Sequence, residues 1–199
     1  MALVCAICNQ KGGVGKTTTL FNLADAAAKD GARVLAIDLD PQGNLTSILA
    51  AEGSVEHDSV GIADAIAAST SDTLADVVVD TVFPNVTLAP TVPDNDVLSA
   101  VRDQLVVAGA GRERRLKAEC DAVRDDYDLI VIDCDRGLSL GTINALYAAD
   151  RVLLVTEPEN DSFNGISDTG ELVDEINEDL RPTRPLPDPD ILINLRDTT

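Results

Sequence analysis

Between positions 9 and 19 the chain reads Asn9-Gln10-Lys11-Gly12-Gly13-Val14-Gly15-Lys16-Thr17-Thr18-Thr19. Glycines at 12, 13 and 15 let a backbone turn tightly and aim successive N–H groups at one point. At the start of a helix such a concavity binds anions. A lysine followed directly by a threonine suits a nucleoside triphosphate. Lys16 would bridge the β- and γ-phosphates, and the Thr17 hydroxyl would ligate Mg²⁺. Asp38 and Asp40 stand two apart at the carboxyl end of an apolar run, so they project to one side, beside that loop. Two carboxylates there would repel a triphosphate unless Mg²⁺ or a water is shared between them. Asp133 likewise ends an apolar run, Leu129-Ile130-Val131-Ile132.

These residues need a scaffold that brings strand ends together, and the chain alternates strand and helix signals. Strands are predicted at Leu3–Cys8, Arg33–Asp38, Val86–Ala89, Leu129–Asp133, Arg151–Val155 and Ile191–Leu195. Helices are predicted at Lys16–Lys29 (closed by Gly31), Gly61–Ala68, Thr73–Val79, Asp96–Val107, Glu113–Arg124 and Gly165–Leu180. Near-continuous apolar runs mark parallel strands covered on both faces. The expected architecture is α/β, a doubly wound, mostly parallel sheet flanked by helices.

The chain has 199 residues and 45% hydrophobic content, enough for one domain over 1–199 without disulfides or a structural metal. No apolar run is long enough to span a membrane, and Met1-Ala2-Leu3-Val4 lacks the basic start of a signal peptide. The expectation is a soluble cytoplasmic protein. Fifteen basic residues, only four of them lysines, stand against thirty-five acidic ones, a net charge of −20. The surplus is spread along the chain, which points beyond generic solubility to a salt-rich cytoplasm. Such a charge opposes DNA binding unless salt screens it. Cys5 and Cys8 lie three apart on one strand and so diverge. Cys120 shares a helical stripe with Leu116 and Val123, and Cys134 follows a strand. All four read as small buried hydrophobes, not as a metal or redox site.

The loop departs from G-x-x-x-x-G-K-[ST], with Gln10 in place of the first glycine and an added Lys11. The form K-G-G-V-G-K-T-T resembles the deviant Walker A motif of the ParA/MinD family of ATPases. The resemblance continues in Asp38-Leu39-Asp40-Pro41-Gln42-Gly43-Asn44, in Tyr127-Asp128-Leu129-Ile130-Val131-Ile132-Asp133-Cys134 and in Thr142-Ile143-Asn144-Ala145-Leu146. Asp40-Pro41-Gln42-Gly43-Asn44 brings it closer to chromosome- and plasmid-partitioning ParA proteins than to MinD. The resemblance implies a P-loop NTPase fold, with ATP and Mg²⁺ as cofactors. ATP would be bound by Lys11, Gly12, Gly13, Val14, Gly15, Lys16, Thr17 and Thr18, and by Asn194 at a base-contacting position. Asp38 would help hold the hydrated Mg²⁺ with Thr17, and Asp133 would be the Walker B acid beside it. Asp40 would orient the attacking water. Lys11 would reach across an ATP-dependent homodimer to the partner's phosphates, and hydrolysis would release the pair. A ParB-like protein would stimulate turnover, and nonspecific DNA would place the dimer on the nucleoid.

Two departures bear on this. Where the family has two prolines and a serine, this chain has Asp135-Arg136-Gly137. That is read as a salt-bridged loop, against the alternative of an altered hydrolysis switch. Family members also continue past the strand at Ile191–Leu195 with helices that complete the nucleotide pocket and carry DNA-binding residues. The basic cluster Arg112, Arg114, Arg115 and Lys117 reads as a solvated helix face more than as a DNA footprint. The competing reading is a hydrolysis-poor shortened regulator that binds nucleotide and pairs with a full-length ParA-like partner. Membrane positioning would want a basic amphipathic end, which Leu195-Arg196-Asp197-Thr198-Thr199 is not.

Overall fold

The computed structural model describes residues 1–67, 69–92, 111–137, 139–158, 160–179 and 185–194. Its strands are β1 (Leu3–Cys8), β2 (Val34–Asp38), β3 (Val79–Asp80), β4 (Val86–Ala89), β5 (Leu129–Asp133), β6 (Arg151–Thr156) and β7 (Asp190–Ile193). They form one sheet in the order β3-β4-β2-β5-β1-β6-β7. Only the β3–β4 pair is antiparallel.

Period-two alternation divides the inner strands between two cores. Val4, Ala6, Cys8, Leu35, Ile37, Ile130 and Ile132 point into one face. Ile7, Val34, Ala36 and Val131 point into the other. Helix α1 (Lys16–Lys29) covers the second face with Leu20, Ala24 and Ala28 at helical spacing. The first face is covered by α5 (Arg115–Val123), through Leu116, Cys120 and Val123, and by α6 (Leu140–Ala148). Short helices α2 (Asn44–Leu49), α3 (Ile62–Ile66) and α4 (Leu74–Val77) follow β2, and α7 (Asn160–Asp179) follows β6. Among the described residues no helix is long and apolar enough to cross a membrane.

The doubly wound, mostly parallel sheet agrees with the expectation, and β1, α1, β4 and β5 have the predicted bounds. Other boundaries moved. Val79, expected to end a helix, opens β3 because it pairs with Leu88. A 3₁₀ turn at Arg112–Arg114 precedes α5. Helix α7 starts at Asn160, not Gly165, and the last strand starts one residue early. Helices α2 and α6 have no counterpart among the predicted elements. The helix expected at Asp96–Val107 lies outside the described residues. Cys5 and Cys8 do pack on opposite faces, and Cys8 Sγ approaches Cys134 Sγ at 3.0 Å as a free thiol pair.

Candidate phosphate-binding site

The register puts Ile7 and Asp38 on either side of Asp133, so the carboxyl ends of β1, β5 and β2 converge. The glycine-rich loop leaves β1 there. Gly13 and Gly15 have φ of +81° and +96°, a left-handed backbone that a side chain would strain. Gly15 has a second constraint, since a Cβ would fall 2.5 Å from Asn194 Nδ2. Asn9 shapes the loop: its Nδ2 donates to the Val155 carbonyl at 2.6 Å and its Oδ1 accepts from Lys11 N at 2.9 Å. Helix α1 then opens at Lys16, with its first unpaired N–H groups facing the loop.

A cavity of about 350 Å³ lies over this loop, lined by Gly13, Gly15, Lys16, Thr17, Thr18, Asp40, Asn44, Ser47, Ile48 and Arg136. Lys16 is buried, its Nζ donating to the Asn9 carbonyl at 3.2 Å. Val14 turns its side chain into the core and contributes only backbone. The Asn194 amide braces the loop from behind, donating to the Val14 carbonyl at 3.0 Å. Lys11 lies beside Glu157 at the end of β6, 3.5 Å away.

The carboxylates divide the work. Thr17 Oγ1 donates to Asp133 Oδ2 at 2.7 Å, while Asp133 Oδ1 is buried without a hydrogen-bond partner among the described residues. Asp38 accepts from Asp40 N at 3.2 Å and from both N and Oγ1 of Thr46 at 2.8 Å. Its side chain is fully buried next to Asp133, and Asp38 is not among the residues that line the cavity. Asp40 lines the cavity, held by Gln42 N donating to Oδ1 at 3.0 Å. Burial pushes the Asp38 carboxyl up to about 7, with the Asp133 charge adding and the Thr46 hydrogen bonds opposing. Burial likewise lifts Asp133 to about 6, against the Thr17 hydrogen bond and the Lys16 charge.

Two adjacent buried carboxyls, one with an unsatisfied oxygen, beside a threonine hydroxyl fit a hard divalent cation. Among the described residues no cluster of three acidic, His or Cys ligands is formed, so phosphate and water oxygens would complete the shell, as Mg²⁺ favours. Thr46, Asn9 and Glu157 were not singled out from sequence. Glu157 had a signal, since ligands of open α/β sheets gather beyond strand carboxyl ends. The basic cluster is occupied internally: Arg115 reaches the Ile66 carbonyl, Lys117 pairs with Asp121, and Arg114 lies over Tyr147. Asp135 Oδ1 accepts the backbone N–H of Arg136 at 2.5 Å. The Arg136 guanidinium extends across Gly12.

A parallel sheet with an anion-binding loop between a central strand and its helix, and an acid ending the neighbouring strand, defines a P-loop nucleotide-binding protein. A family model described as an AAA domain matches residues 2–184, and the chain belongs to that family. Within it, the chain is a member of the ParA/MinD group of P-loop ATPases, close to ParA partitioning proteins. It is 41% identical over 175 residues to the sporulation initiation inhibitor protein Soj of Bacillus subtilis, covering 84% of this chain and 63% of Soj. It is 35% identical over 180 residues to the chromosome partitioning protein ParA of Myxococcus xanthus, covering 90% of this chain and 60% of that protein. The chain thus spans less than two thirds of either relative. Among solved structures, a Cyanothece McdA–ATP complex matches with a TM-score of 0.80 at 27% identity, covering 98% of this chain and 69% of that one. Cobyrinic acid a,c-diamide synthase from Mycobacterium smegmatis, with an ATP analogue and magnesium, matches at 0.79 and 30%, covering 96% and 72%.

Proposed function

We propose that this chain is an ATP-driven dimerisation switch of the DNA-partitioning kind. The observation that carries the reading is the corner where Thr17 meets Asp133 with one carboxylate oxygen left unsatisfied, at the mouth of the glycine loop. A Mg²⁺ bound there would neutralise charge on the β- and γ-phosphate oxygens. Thr17 would hold it directly, with Asp133 and Asp38 behind. The loop N–H groups and Lys16 would cradle the phosphates, with Gly12, Gly13, Val14, Gly15 and Thr18 contributing backbone or hydroxyl contacts. Asp40, oriented by Gln42 N, would position the attacking water. Lys11 would exchange its 3.5 Å contact with Glu157 for the phosphates of a second copy, stabilising charge in the transition state. Hydrolysis would then separate the copies. Relatives named for chromosome partitioning support this role, and with it nonspecific DNA and a ParB-like protein that speeds a slow turnover.

The test is solution mass by light scattering in molar KCl, with Mg-ATP and then Mg-ADP, on wild type and Lys11→Ala. A dimer with ATP alone, lost in the variant, is expected. A monomer throughout, despite measurable ATP binding, would replace the self-dimer with the regulator that pairs with a full-length relative.

A further inference from the structure

The segment after β5 carries an arginine into the phosphate cavity of its own subunit. Both flanks of that segment are anchored. On one side Thr17 Oγ1 donates to Asp133, and Leu39 N donates to the Asp133 carbonyl at 3.0 Å. On the other, Thr142 Oγ1 donates to the Gly137 carbonyl at 2.9 Å, and Ser139 caps α6 by accepting from Thr142 N at 3.2 Å. Gly137 itself takes a left-handed φ of +83°. Within this stretch the Arg136 side chain lies against Gly12. A Cβ at Gly12 would stand 3.1 Å from Arg136 Cζ and Nη1 and 3.2 Å from Nε. Gly12, unlike Gly13 and Gly15, has no left-handed φ, so its bare α-carbon gives the guanidinium room to lie flat.

Arg136 lines the same cavity as Lys16, Thr17 and Asp40. Asp40 and the Thr17–Asp133 corner mark the end of the cavity where the terminal phosphate would lie. A guanidinium there presents a planar fork matched to the oxygens of a phosphate group.

We propose that Arg136 binds the terminal phosphate of the nucleoside triphosphate in cis, so that one subunit distinguishes triphosphate from diphosphate before any partner's Lys11 arrives. This rests on the ATP reading above and adds a second cation to the terminal phosphate, supplied by the loop that follows the metal-side acid. With a diphosphate bound, Arg136 would have no phosphate to hold, and the preference for triphosphate would fall to that of the loop, Lys16 and the metal.

The test is titration of Mg-ADP and a non-hydrolysable β,γ-imido triphosphate onto the wild-type chain and onto Arg136→Ala and Arg136→Lys. Each titration is repeated in a Lys11→Ala background, where no partner lysine contributes. Removing a charge-assisted pair should cut the preference for triphosphate by about tenfold or more, with diphosphate affinity held within about twofold. Arg136→Lys should recover part of the preference. Thermal melts of the variants check that the exposed substitution leaves the fold intact. An unchanged preference in Arg136→Ala, or an equal loss for both nucleotides, overturns the assignment. Failure of the wild-type chain to bind either nucleotide would instead refute the ATP reading, and this inference with it.

Discussion

At the amino ends of β1 and β6, Arg124 is buried with its guanidinium on Asp150 and its Nε donating to the Ala2 carbonyl at 3.1 Å, while Asp150 also accepts from Val4 N at 3.0 Å. At the carboxyl ends of β2 and β5, the buried charges are alike. Asp38 and Asp133 sit side by side, and one oxygen of Asp133 has no donor. The first arrangement satisfies its charges within the fold and ties the α5 end to two strands. The second leaves its carboxyls desolvated and mutually repelling, a cost that a cation would relieve. Opposite ends of one sheet thus treat buried charge in opposite ways. The end that is incomplete without a ligand is the one the phosphate loop adjoins.

Breaking the satisfied end should have the largest effect. Arg124→Ala leaves Asp150, whose side chain is only 8% exposed, without its principal cation. Loss of one member of such a pair costs about 3–5 kcal/mol, to be read from urea unfolding midpoints. A loss below about 1 kcal/mol would remove the contrast.

At the other end, Asp133→Asn should reveal the stored cost through pH. A carboxyl raised from 3.8 to about 6 keeps its proton in the folded state after the unfolded chain has lost it. The wild type therefore loses stability as pH climbs from about 4 to 6, and stays penalised above. The variant lacks that term. Its stability relative to wild type should rise between pH 4 and pH 8, by on the order of 2 kcal/mol. Mg²⁺ should raise the wild-type melting temperature at pH 8 and leave that of Asp133→Asn unmoved. A difference independent of pH would mean that the Asp133 carboxyl is not held protonated in the fold.

Asn9→Ala is the subtlest change. It removes one donor and one acceptor that shape the loop, for about 1–2 kcal/mol of stability. Nucleotide affinity should weaken with it, since the loop N–H groups lose their alignment. Full affinity in the variant would show that the glycines alone shape the concavity.

Local chemistry made much of this readable in the chain. The Gly-Lys-Thr run, the apolar strand runs and the stripe of Leu20, Ala24 and Ala28 are short-range signals, and β1, α1, β4 and β5 follow them closely. Helices α2 and α6 escaped because a six-residue helix and a nearly all-apolar one carry little periodic contrast. Their identity comes from burial against the sheet. Thr46 escaped with α2, and so did its three-way grip on Asp38 and the Thr91 backbone.

By itself the sequence determined that a strand leads into an anion-binding loop and a helix, and which acids end the apolar runs. Those properties depend on residues within a dozen positions of one another. What those acids face, and which cations line the cavity, depends on tertiary packing. The parallel order β2-β5-β1 sets Asp38 beside Asp133, and the fold brings Arg136 against Gly12, 124 positions away. A parallel sheet joins strand ends that are distant in sequence, so contacts across those ends leave no local periodicity to read.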